Sequence, residues 1–267
     1  MTSAPASNVT AIGSCTPPRS GAWPARPRSS SIPPTTSAPG STHALEVAQV
    51  ATSIARGVGV NVTLAEAIAL GHDCGHGPGG HASEDAFDAF IPEGYDHGPW
   101  GADVVLQSLN LCAETLDGIR NHSWSRPAPL TVEGHIVSWA DRIAYCAHDL
   151  EDAMHAGIVA PDDLPADVVE VCGRTRREQL NTFVRAVVRA VEEHGEVGMP
   201  PAEAQALAAL RAFNYERIYV RPASLAQSRA RHRRAARAGR VLQRASGCDA
   251  RRARSAAAVR RRRHGRQ

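Results

Sequence analysis

The chain has 267 residues, 4% of them aromatic, with 18 Pro, no Lys and a formal net charge of +3. A mean hydropathy of -0.28 and the lack of any apolar run near the ~18 residues of a membrane span exclude a helical integral membrane protein, and no N-terminal pattern reads as a signal peptide. Cys15, Cys74, Cys112, Cys146, Cys172 and Cys248 form no C-x-x-C pair, so neither a zinc ribbon nor a disulfide scaffold is indicated, and a reducing cytoplasm fits best.

Charge divides the chain. Residues 1 to 228 hold 15 Arg against 26 acidic residues, whereas 229 to 267 hold 15 Arg against Asp249 alone. Residues 1–41 contain eight Pro, nine Ser and no acidic residue, without apolar periodicity, and read as disordered. Over 42–58, Val47, Val50, Ala51, Ile54 and Val58 recur at helical spacing with His43 on the same stripe. Thr63 and Glu66 form a capping box that opens a helix on which Leu64 and Ile68 align with His72, and Gly75 stops it. After the loop 76–80, helices are expected over 81–90, 104–116, 132–156, 165–194 and 202–216, and no strand. The expected organisation is an all-α domain over 42–226, flanked by disordered segments 1–41 and 227–267.

The polar residues on the inward stripes need a partner. His43, His72, Asp73 and Asp141 lie on three separate helical segments among apolar neighbours, where an unpaired carboxylate costs several kcal/mol. A divalent cation answers that cost. Two imidazoles and two carboxylates leave coordination positions open in an octahedral arrangement, which suits Mn²⁺, Mg²⁺ or Fe²⁺ better than closed tetrahedral zinc.

Three runs carry a resemblance: Thr42-His-Ala-Leu-Glu-Val-Ala-Gln49, then His72-Asp-Cys-Gly-His-Gly-Pro-Gly-Gly-His81-Ala-Ser-Glu84, then Ala140-Asp-Arg-Ile-Ala-Tyr-Cys-Ala-His-Asp149. Together with Phe213-Asn-Tyr-Glu-Arg-Ile-Tyr219, they resemble the deoxyguanosine triphosphate triphosphohydrolase branch of the HD-domain phosphohydrolases, over roughly residues 42 to 225. The resemblance implies an all-helical bundle and a divalent metal on His43, His72, Asp73 and Asp141. It also implies hydrolysis of a deoxynucleoside triphosphate to the deoxynucleoside and tripolyphosphate. It makes His81 the catalytic histidine and Glu84 its orienting acid, and puts His76 and His97 near the phosphates. Tyr145 would pack on the deoxyribose and Asp149 accept from its 3'-hydroxyl. His122 and Arg142 border the pocket or, equally well, are a satisfied core histidine and a surface arginine. The family tends to form homo-oligomers.

Two departures stand beside these matches. The family carries Arg-x-Arg-Leu before its first metal histidine, where this chain has Ala38, Gly40 and Ser41, and Gly79 replaces a usual aromatic residue. Codons permitted for Ser37 to Ser41, read from the third base, give Arg-Thr-Arg-Leu; those for Arg231 to Ala236, read from the second, give Val-Ile-Ala-Ala-Leu-Leu. Both flanks are therefore candidates for out-of-frame translation, which would leave an inactive homologue. A rival reading takes the Arg-rich tail as a nucleic-acid contact, although it lacks aromatic residues to stack on bases. Another keeps the metal site but gives it a different nucleotide.

Overall fold

The computed structural model describes residues 40–264 except 79, 92 and 93, with side chains placed for residues 42–244 apart from those three positions. Among the described residues every regular element is helical, in agreement with the all-α class read from the sequence. The expectations for residues 1–39 and for Gly79 lie outside the described residues.

Helix α1 (Gly40–Val58) buries Val47, Val50, Ala51, Ile54 and Ala55 against α2 (Val62–Gly71) and α6 (Val132–His155). Helix α2 is capped by Asn61, whose side chain accepts from the Leu64 amide at 3.1 Å, so the capping residue is Asn61 and not Thr63. It ends at Gly71, and residues 72–75 continue as turns. The short helices α3 (His81–Phe87) and α4 (His97–Trp100) follow, the latter unmarked by any sequence periodicity.

The helix expected over 104–116 does not form. Its place is taken by a π-helical turn over Gly101–Val105 and a 3₁₀ turn over Gln107–Leu109. Asn110 then takes a left-handed conformation (φ 51°), which asparagine tolerates, and α5 runs from Ala113 to Asn121.

Helix α6 is the axis of the domain. Its N-cap Thr131 accepts from the Gly134 amide at 3.1 Å, and Ile136, Val137, Ala140, Ile143, Ala147 and Leu150 are buried among α1, α2, α5, α8 and α9. Each buried Ile or Leu contributes about 1.5–3 kcal/mol relative to exposure. The single helix expected over 165–194 is two, α7 (Ala166–Cys172) and α8 (Arg176–His194). Gly173, at φ 79°, breaks the run, and Thr175 and Glu178 form a reciprocal capping box that restarts it. Helix α9 (Pro201–Asn214) leads through a π-helical turn, Tyr215–Tyr219, into α10 (Pro222–His264).

Residues 227–264, expected as a disordered tail, belong to α10, which lies across α3 with Ala235 buried. Alanine and arginine are both strong helix formers, so intrinsic propensity supports a helix here without a broad apolar stripe.

Candidate active site

The site is assembled where the end of α2, the start of α1, the middle of α6 and the short helices α3 and α4 meet. His72 is fully buried, and its Nδ1 donates to the Ala69 carbonyl at 2.7 Å, which leaves Nε2 directed into the site. That Nε2 lies 3.4 Å from Asp73 Oδ1 and 3.6 Å from Asp141 Oδ1 and has no hydrogen-bond partner. From α1, His43 Nε2 lies 2.9 Å from Asp141 Oδ1 and 4.0 Å from Asp73 Oδ2. One ligand atom each from His43, His72 and Asp141 falls within 4.8 Å of the others. The structure thus brings His43, His72, Asp73 and Asp141 together.

Electrostatics in this group are strongly coupled. Burial alone would depress the His72 imidazole, but the Asp141 and Asp73 carboxylates outweigh burial and lift it to about 9. Burial works to raise Asp141 and Asp73, yet His43 and His72 beside the first, and His76 and His72 beside the second, hold both carboxyls well below the usual range. A buried orphan imidazole nitrogen facing two ionised carboxylates is the donor set of a divalent cation site, and these residues fit one.

A second group adjoins the first. Glu84, on α3, accepts from His81 Nδ1 at 2.6 Å, from His97 Nδ1 at 2.5 Å and from the His97 amide at 2.9 Å. Burial would raise its carboxyl, but the bonds from His81 and His97 keep it well down, and Glu84 in turn raises His81. His76 and His97 stack with ring centroids 3.9 Å apart, and their Nε2 atoms lie 3.4 and 3.7 Å from Asp73 Oδ1. His81 is 79% exposed and opens on a cleft of about 410 Å³ lined also by Asp85, Asp88, Tyr95, Asp96 and Ser123.

Gly75 makes this proximity achievable. A Cβ there would lie 1.9 Å from the His97 carbonyl oxygen and 2.4 Å from the Gly101 nitrogen, so only glycine lets the loop after Asp73 rest on α4. Tyr95 reinforces the contact by donating its hydroxyl to the Gly75 carbonyl at 2.6 Å.

His122 is buried, its Nδ1 donating to the Ile119 carbonyl at 2.7 Å and its Nε2 lying 3.1 Å from His97 Nε2. Burial, with the His72 charge beside it, lowers His122 to about 4. Arg142 is elsewhere engaged, with Cζ 3.4 Å over the Trp124 ring.

Tyr145 and Asp149 continue the inward face of α6 beyond Asp141. Tyr145 accepts from Arg211 Nε at 2.9 Å, and Asp149 accepts from the Tyr219 hydroxyl. Burial raises Tyr145 to about 12 and also lifts Asp149. No spacing rule marks Arg211. Tyr219 lies in the late aromatic segment, which was the only signal for this contact.

An all-helical domain in which an isolated histidine, an adjacent His-Asp pair and a later aspartate converge is the architecture of the HD class. The HD domain family matches residues 40–146. Among curated relatives, the deoxyguanosinetriphosphate triphosphohydrolase-like protein of Caldanaerobacter subterraneus subsp. tengcongensis is 40% identical over 185 residues, covering 67% of this chain and 54% of the relative. The protein of the same description from Clostridium tetani is 37% identical over 194 residues, covering 67% and 56%. A third, from Deinococcus radiodurans, is 40% identical over 139 residues, covering 46% and 37%. The chain belongs to the HD-domain superfamily, in its deoxyguanosine triphosphate triphosphohydrolase-like family, and spans little more than half the length of the first two relatives. Among the described residues, no helix is long and apolar enough to cross a membrane.

Proposed function

We propose that the chain is a metal-dependent phosphohydrolase that converts a deoxynucleoside triphosphate to the deoxynucleoside and tripolyphosphate. The observation that carries this reading is the orphan Nε2 of His72, buried between the carboxylates of Asp73 and Asp141. His43, His72, Asp73 and Asp141 would hold a divalent ion, Mn²⁺ or Mg²⁺ with Fe²⁺ as a third choice. Such an ion supplies Lewis-acid polarisation of a phosphoryl oxygen and a template for the substrate.

The chain's own groups divide the remaining work. Glu84 holds the proton on His81 Nδ1, which leaves Nε2 as the basic atom facing the cleft and able to orient or deprotonate water for in-line attack at phosphorus. His76 and His97 offer imidazole donors to phosphate oxygens beside Asp73. Tyr145 presents a ring for the deoxyribose, and Asp149 an acceptor for its 3'-hydroxyl once Tyr219 yields that place. The assembly is proposed as a cytoplasmic homo-oligomer. Incubation with each of the four deoxynucleoside triphosphates and Mn²⁺ or Mg²⁺ should release tripolyphosphate from wild type and none from Asp73→Ala. Orthophosphate or pyrophosphate as the leaving product would assign a different hydrolytic chemistry.

A second reading, favoured by the exposure of Arg233, Arg234, Arg237 and Arg240 on α10, is polynucleotide binding through phosphate contacts. Deletion of 229–267 that abolishes salt-sensitive polynucleotide binding while leaving hydrolysis intact would support it. Undiminished binding would discard it.

A further inference from the structure

The second histidine group contains an atom that neither the fold nor the proposed reaction satisfies. His76 Nδ1 is buried without a hydrogen-bond partner, 3.9 Å from Glu84 Oε1. Glu84 is already engaged by two imidazole nitrogens and one amide. A buried polar atom left in that state carries an uncompensated desolvation penalty. His81 Nδ1 and His97 Nδ1 reach the same carboxylate at 2.6 and 2.5 Å, so three imidazoles present the same nitrogen to one glutamate. One ligand atom from each of His76, His81, Glu84 and His97 lies within 4.8 Å of every other.

We propose that His76, His81, Glu84 and His97 form a second metal site, selective for a tetrahedral ion of the Zn²⁺ class, which takes His81 out of the hydrolytic reaction when filled. Three imidazoles and one carboxylate are a nitrogen-rich, four-donor set, the preference of tetrahedral zinc at about 2.0–2.2 Å from each ligand. The His43, His72, Asp73 and Asp141 group is half carboxylate and suits harder octahedral ions. Two neighbouring sites therefore differ in the ion they select. Asp73 lies between them, with Oδ1 3.4 Å from both His72 Nε2 and His76 Nε2.

Filling the second site has a defined consequence for His81. An ion on Nδ1 displaces the proton that Glu84 now accepts, and the neutral ring then carries its one proton on Nε2. That nitrogen can no longer accept a proton from water. This consequence rests on the role given to His81 above, whereas the binding itself does not.

The test uses the full chain, stripped of metal with a chelator, with Co²⁺ as a spectroscopic probe and Zn²⁺ titrated calorimetrically. Wild type should bind two ions, one giving the intense visible absorption of tetrahedral Co²⁺. Asp141→Asn should retain the tetrahedral absorption and one ion, while His76→Gln and Glu84→Gln should each lose it and still bind one Mn²⁺. Circular dichroism of the variants checks that helix content is preserved. A single Zn²⁺ equivalent in wild type that vanishes in Asp141→Asn overturns the proposal, as does an unchanged tetrahedral signal in folded His76→Gln and Glu84→Gln. Loss of Mn²⁺ binding at the first group with a surviving tetrahedral signal would refute the proposed hydrolytic centre and leave this site standing.

Discussion

Gly75→Ala would place a methyl carbon 1.9 Å from the His97 carbonyl oxygen and 2.4 Å from the Gly101 nitrogen, both backbone atoms. Neither can rotate away as a side chain could. An ordinary contact needs about 3.4 Å or more, so α4 and the loop after Asp73 must separate by about 1.5 Å. His97 Nδ1 starts 2.5 Å from Glu84 Oε1, and such a shift carries it beyond hydrogen-bond range. Overpacking of this kind costs about 1–3 kcal/mol, and for a domain of this size each kcal/mol lowers Tm by about 2–4 °C. Misplacement by about 1 Å near reacting groups reduces turnover about 10²-fold. The variant should therefore keep its helical circular dichroism, melt several degrees lower and hydrolyse its substrate about a hundredfold more slowly. Gly198→Ala is the control, because a Cβ there meets nothing within 4 Å. Wild-type turnover and Tm in Gly75→Ala would refute the close approach of the loop to α4 as the device that assembles the site.

Other expectations follow from the same geometry. Glu84→Gln should lower turnover by about 10²-fold or more, because the amide no longer fixes the His81 proton on Nδ1; turnover within a factor of two would remove Glu84 from the mechanism. Mn²⁺ at about 100 times its Kd should stabilise wild type by about 2.7 kcal/mol in a thermal melt, and the shift should disappear in Asp73→Ala. Burial raises the Asp149 carboxyl although Tyr219 donates to it, so the folded chain holds that proton more tightly than the unfolded chain does. The resulting cost is nil below the ordinary carboxylate range and grows as pH rises through the folded value. Asp149→Asn should accordingly melt higher than wild type at about pH 7 and level with it at about pH 3; a gap of equal size at both would rule out ionisation as its source. The genomic nucleotides encoding Ser37–Ser41 and Arg231–Ala236 should read Arg-Thr-Arg-Leu and Val-Ile-Ala-Ala-Leu-Leu in the shifted frames, and other codons at either place would dismiss the frame-shift reading of that flank.

Periodicity located α1 and α6 closely because each carries a long apolar stripe of one period. It misplaced the 104–116 helix because a left-handed Asn110 and a π-helical turn are local conformations with no periodic signature. The split at Gly173 was visible only as a glycine followed by Thr175 and Glu178, a capping signal that continuous helical composition on both sides concealed. The tail is expected as disordered, yet it is rich in Ala and Arg, whose intrinsic propensity supports the helix it forms.

The residues of the candidate site were legible as inward-facing polar groups and as quoted motifs, since helical spacing alone fixes which side of a helix a residue occupies. Their company was not. Nothing in the spacing tells that His43 and Asp141, 98 positions apart, lie 2.9 Å from one another, that Tyr219 donates to Asp149, or that Arg142 lies over Trp124. Nor does it tell that His76 Nδ1 is buried without a partner beside Glu84. The sequence by itself determined helix faces and an inventory of imidazoles and carboxylates, because those follow from local periodicity. Only the tertiary structure decided which of them meet, because distances between helices depend on side-chain packing and on backbone approaches such as the one at Gly75.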